Sequence, residues 1–363
     1  MAVNLGIALI TTAAISTAAH FVFHKLAPRL GLLDHPSERR KIHSHAVAPV
    51  GGIAIFTAVL TAVLLYGQPS IEFGYGLLGG AVLVIVGLID DRFNLGYRIR
   101  LFAQIVAASI LTIGGDITLS SLGDLIGIGP LELGHLAAPL TIFAIVGLIN
   151  AINMTDGIDG LAGGLVLINI AGVLMVLPPQ SETLALLLPI LFAAMLPYLA
   201  CNLEAPGFRG RKVFLGDAGS LLLGYIVAWA LIDASSQAPA GLTPVGALWL
   251  IAIPLMDTLS VMGRRMLRRA SPFKADRGHL HHLLTRMTGS TRVALVMILS
   301  LALLLAAFGL MANELQMSES ALFAIALLTF LAYLLLQSRI PGFYRWLKRR
   351  QRSAVGLAVN ESI

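Results

Sequence analysis

Residues 73–94 read FGYGLLGGAVLVIVGLIDDRFN, and this stretch decides the fold class. Positions 73–89 carry no charge, and a helix needs roughly 20 mainly apolar residues to cross a hydrocarbon core about 30 Å thick. Charge returns only at the end of the stretch, where Asp90 and Asp91 precede Arg92. The pattern predicts a transmembrane helix that ends in a pair of acids.

Composition extends this interpretation to the whole chain. Of the 363 residues, 57% are hydrophobic and 12% are charged, whereas a soluble domain is typically about 25% charged. The mean hydropathy is +0.85. The single cysteine, Cys201, excludes an internal disulfide framework and a cysteine-rich metal site. The first apolar segment lacks a basic n-region and a small-residue cleavage site, so we interpret it as a retained span.

The apolar segments predict an all-α integral membrane protein, a polytopic bundle of about eleven transmembrane helices. The predicted spans are residues 3–23, 49–67, 73–90, 100–115, 137–152, 160–178, 183–201, 217–233, 244–263, 292–312 and 319–337.

The basic residues orient the bundle. All 25 lysines and arginines fall in the connections after odd-numbered predicted spans or in the C-terminal tail. Because cytoplasmic loops concentrate Lys and Arg, the N-terminus is predicted outside and the C-terminus in the cytoplasm. Residues 1–338 then form one transmembrane domain with its functional loops on the cytoplasmic face. Residues 339–363 form a basic cytoplasmic tail, and the +6 net charge reflects topology rather than nucleic-acid binding.

The acids at the end of the third span form the first candidate site. Asp90 and Asp91 sit at a helix C-terminus, where the macrodipole disfavours negative charge. A cation such as Mg²⁺ would offset this. The alternative is a solvated helix end paired with Arg92, Arg98 or Arg100.

The next loop on the same predicted side is a second candidate. Residues 153–160 read NMTDGIDG, in which Asp156 and Asp159 would share a helical face and glycines permit close approach of a ligand. The loop contains no lysine or arginine, so its acids lack a local basic partner and suit a metal. Capping of the sixth span is the alternative.

Two further acids stand out. Asp217, in KVFLGDAGS at residues 212–220, is either a simple N-cap or part of a helix start that holds a metal–diphosphate group. Asp257 lies inside an apolar segment, about 10 Å from the helix end at Arg264. An acid at that depth is expected to serve a functional site or to support one.

The largest inner loop, SPFKADRGHLHH at residues 271–282, gathers histidines among basic residues. We interpret it as a phosphate- or sugar-recognition segment, with zinc binding or a solvated basic turn as alternatives. The chain contains neither a GxxxxGK[ST] phosphate loop nor a GxGxxG fingerprint, so an ATPase or a dinucleotide enzyme lacks support.

Together these motifs, in this order and on one predicted side, resemble the polyprenyl-phosphate N-acetylhexosamine-1-phosphate transferase family. The resemblance runs from Asp34-His-Pro and Pro49-Val-Gly-Gly through to the histidine loop. It implies transfer of GlcNAc-1-phosphate, or a related HexNAc-1-phosphate, from a UDP-sugar to undecaprenyl phosphate. UMP is released, and the lipid-linked product initiates cell-envelope polysaccharide synthesis. The implied setting is the bacterial inner membrane, with Mg²⁺ or Mn²⁺ as cofactor and membrane lipid as a partner; a homodimer is left open.

The resemblance also assigns roles to residues. Asp90, Asp91, Asp156 and Asp159 become the catalytic acids, and Asp217 and Asp159 become metal ligands. Gly157, Ile158, Asn202 and Phe214 would lie near the uracil, and the histidines near the sugar. The full implied substrate-binding set is Asn153, Gly157, Ile158, Asn202, Phe214, Asp257, Arg265, His279, His281 and His282.

The sequence departs from the family at one position, since Asn94 stands where a third acid is often found. Rival interpretations remain. The related phospho-MurNAc-pentapeptide transferases carry a different sequence before their histidines, which favours a HexNAc donor here. A secondary transporter would place ionisable groups near the bilayer midplane. A CDP-alcohol phosphotransferase would carry Asp-Gly-x-x-Ala-Arg, which Asp156-Gly157 does not continue.

Overall fold

Apolar α-helices make up most of the computed structural model, which describes residues 5–34, 46–67, 70–177, 181–236, 241–269 and 278–360, with side chains described as far as residue 340. Within these ranges β-structure is limited to isolated bridges. The helices are α1 (Leu5–Leu30), α2 (Gly51–Tyr66), α3 (Ile71–Phe93), α4 (Tyr97–Ser109), α5 (Ala137–Thr155), α6 (Leu161–Val176), α7 (Glu182–Asn202), α8 (Gly216–Ser236), α9 (Pro244–Leu250), α10 (Ala252–Leu267), α11 (Leu280–Thr288), α12 (Thr291–Glu314) and α13 (Glu319–Asn360).

The predicted membrane fold is confirmed in its coarser form. In the described part of the chain, 8 helices are long and apolar enough to cross a membrane, or 9 if α9 and α10 count as one bent span. The remaining apolar segments, α2 and α6, have 16 residues each, about 24 Å at 1.5 Å per residue. Each predicted span thus coincides with an apolar helix or with the bent pair, whereas eleven full crossings stay a prediction.

The ninth predicted span is not straight. Residues 244–263 were expected to form one helix, but α9 and α10 meet at 82°. Pro254 has no amide hydrogen to donate to the carbonyl of Leu250, so the helical hydrogen bonds are interrupted where α9 ends. The bend changes the direction of the chain before it reaches Asp257.

Helix α8 is the centre of the bundle. Nearly all of its residues are buried, and it packs against α2, α3, α5 and α6. Small residues permit this, because a Cβ on Gly52 would collide with the backbone of Gly219, and one on Gly87 with that of Ala218. Close packing through small residues is typical of membrane helices. It fixes the N-terminus of α8 between α2 and α3.

Helix ends from across the bundle meet around this N-terminus. The C-terminal ends of α1, α3, α5, α7 and α10 gather there with the N-terminal ends of α2, α4, α8 and α12. The segment before α2 bridges to the segment before α8 through Ala48 and Val213. His35, Pro36 and the loop 270–277, with Lys274 and Arg277, lie outside the described residues.

Candidate active site

Two adjoining cavities, of about 770 Å³ and 250 Å³, open at this end of the bundle. Asn153, Gly157 and His282 line both cavities and mark where they meet. The larger cavity is also lined by the predicted residues Asp90, Asp91, Asp156, Ile158, Asp159, Asn202, Phe214 and Asp217. The smaller cavity is also lined by the predicted residues Arg265, His279 and His281. The fold therefore brings together the Asp pair, the acidic turn, the segment with Asp217 and the histidines, from four separate parts of the chain.

Asp91 caps helix α8 from the end of α3. Its Oδ1 accepts a hydrogen bond from the Asp217 amide at 2.8 Å, and its Oδ2 accepts from the Ala218 amide at 3.3 Å. Interpreting Asp217 as a simple N-cap is therefore wrong, since another residue serves the first amides of its helix. The Asp91 carboxyl group thus occupies the first two amides of α8, and a metal–diphosphate group at this helix start stays a prediction.

The Asp217 side chain is held instead by Asn153. The Asn153 Nδ2 donates to Asp217 Oδ1 at 2.6 Å and lies 2.8 Å from the Ser220 hydroxyl oxygen. Asn153 sits in the last turn of α5, so α5 and α8 together orient this carboxylate. With 28% of its side chain exposed, Asp217 stays accessible from the larger cavity.

Asp90 is paired with a basic residue of the next helix. Its Oδ2 lies 3.0 Å from Arg100 Nη1, and its Oδ1 accepts from the Leu95 amide at 2.5 Å. The same Arg100 nitrogen lies 3.6 Å from Asp217 Oδ2. The predicted alternative of pairing with Arg100 holds for Asp90, although this side chain is buried rather than solvated.

The acidic turn contains two carboxylates in different environments. Burial, with the negative charges of Asp217 and Asp159, raises the pKa of Asp156 to about 7. Asp159 accepts a hydrogen bond from Lys212 Nζ at 2.6 Å. The loop itself supplies no basic partner, as expected, but the fold brings one to Asp159 from 53 residues further along the chain.

The predicted uracil contacts all line the larger cavity. Lys212 Nζ lies 5.6 Å from the centre of the Phe214 ring. Asn202 accepts from the Gly160 amide at 2.6 Å and donates to the Val213 carbonyl at 2.9 Å. Its carboxamide thus ties the acidic turn to the segment that carries Phe214, which is a supporting task in this structure.

The histidines form a stacked group beside the acidic turn. The rings of His279 and His281 are 5.7 Å apart, and those of His281 and His282 are 4.2 Å apart. Burial lowers the pKa of His281 to about 3, with a smaller contribution from His282. His281 is therefore neutral at physiological pH. A Cβ on Gly157 would collide with the His281 ring, so the turn and the histidines require glycine there.

Asp257 is the one predicted substrate contact that lies away from both linings. It is 2% exposed and its oxygens face His279, Tyr333 and the Leu280 amide. The predicted direct contact of Asp257 with substrate does not fit this structure, because the carboxylate is buried behind the histidines. Asp257 instead supports the histidine segment through its hydrogen bonds.

Comparison with known proteins identifies the family. Residues 73–235 match the model of Glycosyl transferase family 4. The undecaprenyl-phosphate alpha-N-acetylglucosaminyl 1-phosphate transferase of Yersinia pestis is 39% identical over 345 residues, which is 93% of this chain and 94% of the relative. The chain belongs to Glycosyl transferase family 4. Relatives with the same name are 37% identical in Escherichia coli K12 (95% of this chain, 94% of the relative) and 35% identical in Haemophilus influenzae (92% and 94%).

Sequence reasoning missed several groups in this Glycosyl transferase family 4 member. Lys212 enters the sequence analysis only through topology, yet it pairs with Asp159. Gln104 and Asn150 hydrogen-bond to each other across α4 and α5, with Asn150 Nδ2 2.6 Å from Gln104 Oε1, and both line the smaller cavity. Two amides in apolar helices were a signal that could have indicated this pair.

The divalent cation implied by the resemblance fits the donor chemistry of the larger cavity. Among the described residues no group of three His, Cys, Asp or Glu side chains is arranged to hold a metal. Mg²⁺, however, is usually bound by one or two carboxylates together with substrate phosphates and water. Burial and the charges of Asp217 and Asp159 raise the pKa of Asp156, because three carboxyl groups lie close together. A bound cation would reduce the repulsion among them. The donor set suits a cation brought in with a phosphate-bearing substrate.

Proposed function

We propose that the protein transfers GlcNAc-1-phosphate from UDP-GlcNAc to undecaprenyl phosphate, releasing UMP and forming a lipid-linked diphosphate sugar. The observation that carries this proposal is the junction of the two cavities at Asn153, Gly157 and His282. A transfer between a soluble donor and a membrane-bound acceptor needs two binding spaces that meet at one reacting centre. The names and coverage of the relatives support the same reaction.

The donor is assigned to the larger cavity. The Phe214 ring offers a stacking surface for the uracil, and Lys212 beside it offers a charge for the diphosphate. The sugar would then extend across Gly157 towards His281 and His282. When bound, Mg²⁺ or Mn²⁺ held by Asp217 with Asp159 would neutralise charge on the diphosphate.

The acceptor phosphate is assigned to the smaller cavity. Arg100 and Arg265 both line it, and guanidinium groups bind phosphate oxygens in a paired geometry. A phosphate oxygen attacks the donor phosphorus that carries the sugar, the bond from this phosphorus to the UMP oxygen breaks, and UMP leaves. Arg100, held by Asp90, balances charge on the entering group.

The acids divide the remaining tasks. Asp91 fixes the start of α8, and so the position of Asp217. Asp156 lines the larger cavity next to Gly157, which lies where the two cavities meet, and it is assigned to take a proton from the acceptor phosphate. This assignment makes Asp90 and Asp91 positioning acids and Asp156 the proton acceptor.

The proposed setting is a bacterial inner membrane with the site facing the cytoplasm, where nucleotide sugars are made. All lysines and arginines lie on the side predicted to hold the site, and the positive-inside rule supports this orientation. In this topology the N-terminus is outside, about eleven segments cross or enter the membrane, and residues 339–363 are a basic cytoplasmic tail. A homodimer is compatible with the proposal.

Release of UMP by the purified enzyme tests the function. Wild type is assayed with UDP-GlcNAc, undecaprenyl phosphate and Mg²⁺, beside Asp91→Asn, Asp217→Asn and Glu132→Gln, an exposed carboxylate in the loop before α5. We expect turnover in wild type and Glu132→Gln, no turnover with EDTA, and losses of about 100-fold in the two Asn variants. Wild-type turnover in both Asn variants would overturn the assignment. Preference for a UDP-muramyl-pentapeptide donor would select the rival reaction.

A further inference from the structure

A buried carboxylate behind the histidines collects four hydrogen-bond donors. Asp257 Oδ2 lies 2.7 Å from His279 Nδ1, and its Oδ1 accepts from the Leu280 amide at 2.9 Å. The same Oδ1 accepts from the Tyr333 hydroxyl at 2.8 Å and from Gln337 Nε2 at 3.3 Å. A carboxylate offers about four acceptor positions, and here protein groups supply three donors to Oδ1 and one to Oδ2.

The carboxylate fixes the state of His279. Because an ionised carboxylate can only accept, the His279 nitrogen facing it, Nδ1, carries a hydrogen. His279 lines the smaller cavity, and Nε2 is its ring nitrogen that does not bond to Asp257. A carboxylate behind a histidine ring sets both its tautomer and its orientation, as in metal sites and hydrolase triads.

Two of the four donors come from the last apolar helix, α13. Tyr333 and Gln337 are one helical turn apart, and both are buried. Gln337 Nε2 also donates to the Gly278 carbonyl at 3.1 Å, and Arg264 of α10 donates to the same carbonyl at 2.9 Å. Gln337 in addition accepts from the Ser260 hydroxyl. The residue before His279 is therefore held from α10 and α13 together.

Packing alone does not account for these polar groups. Tyr333 belongs to an apolar cluster with Leu280, Leu284 and Met256. Apolar side chains of similar size stabilise such a cluster at least as well as buried polar groups do. Yet the Tyr333 hydroxyl and the Gln337 amide both converge on Asp257, and Gln337 also binds the start of the histidine segment.

We propose that Tyr333 and Gln337 are positioning residues, which act through Asp257 and Gly278 to set the orientation of His279 and the start of α11. The last apolar helix is thereby part of the catalytic apparatus. This inference rests on the proposed function, because it concerns the efficiency of that reaction.

Tyr333→Phe is the central variant, since it removes only the hydroxyl and leaves Asp257 its other three donors. Ser338→Ala is the matched control on the same helix, because Ser338 is exposed and, among the described residues, its hydroxyl bonds only to the Leu335 carbonyl. Each is also made in a His279→Ala background. Gln337→Met is a second test, which removes the amide at similar volume. Activity is followed with radiolabelled UDP-GlcNAc, and the unfolding temperature is measured in detergent.

We expect Tyr333→Phe to lower kcat about ten-fold, with the KM for UDP-GlcNAc changed by less than about two-fold and an unchanged unfolding temperature. In the His279→Ala background, Tyr333→Phe should lower kcat no further. If the hydroxyl only stabilised the fold, Tyr333→Phe would lower kcat by the same factor in both backgrounds. Gln337→Met should also lower kcat, but part of its loss should remain in the His279→Ala background, because Gln337 holds Gly278 at the start of α11 as well.

A kcat for Tyr333→Phe within about two-fold of wild type would overturn the inference, as would an equal loss in both backgrounds. If wild type itself released no UMP, both the proposed function and this inference would be overturned. An active wild type with an unaffected Tyr333→Phe would remove the inference alone.

Discussion

Gly157 and His281 are the residues through which the acidic turn and the histidines touch. Gly157→Ala would push a methyl group into the His281 ring, and the ring is buried and has little room to yield. We expect an activity loss of at least about ten-fold and a stability loss of about 1–3 kcal/mol. Gly147→Ala is the control, since nothing lies within 4 Å of its added Cβ. Equal activities in the two variants would contradict the close contact.

Asp156 gives a pH dependence with a defined sign. Burial and the charges of Asp217 and Asp159 raise its pKa from 3.8 to about 7. Between these values the folded state holds a proton that the unfolded state has lost, so this residue's contribution to stability falls as pH rises. In metal-free buffer, Asp156→Asn should lose less thermal stability than wild type between about pH 5 and pH 8. Identical pH slopes would count against this environment for Asp156.

At the scale of elements, two helix caps can be compared, one at the start of α8 in the candidate site and one at the start of α3 away from it. Asp91→Ala removes the acceptor for two α8 amides. Ser70→Ala removes the N-cap of α3, whose hydroxyl accepts from the Phe73 amide at 3.2 Å. Each should cost about 1 kcal/mol of stability. Only Asp91→Ala should also abolish UMP release, and equal activity losses would mean that general destabilisation explains both.

The helices were predictable from sequence because lipid imposes a length and a composition on every span. Each predicted span coincides with an apolar helix or with the bent pair. The bend between α9 and α10 was not predicted, although Pro254 indicates an interruption of the helix there. Partners were harder to foresee. Lys212 lies far from Asp159 in sequence, and only the packing of α7 and α8 beside the acidic turn brings the two together.

For the whole molecule, the predicted orientation can be tested with single cysteines in a Cys201→Ser background. Ile128 and Arg209 are both exposed, in the loop before α5 and in the segment between α7 and α8. We expect a membrane-impermeant maleimide to label Ile128→Cys in spheroplasts, and Arg209→Cys only after the membrane is opened. The reverse pattern would invert the topology and would place the site on the wrong side for nucleotide sugars.

The gathering of the site at one end of the bundle was predictable from the order of spans and loops. Its division into two cavities was not, because that depends on how the α5 terminus, with Asn153 and Gly157, lies between α8 and the histidines. Nor could sequence identify the support from α13, since Tyr333 and Gln337 look like ordinary residues of an apolar helix.

The central claim is that a sugar and its phosphate move together between the two cavities. UDP-GlcNAc labelled with ³²P on the phosphate next to the sugar tests this directly, with purified enzyme and undecaprenyl phosphate. We predict that the label appears in the lipid product and that the released UMP is unlabelled. Label leaving in UDP, with an unlabelled sugar lipid, would show transfer of the sugar alone and would contradict the account.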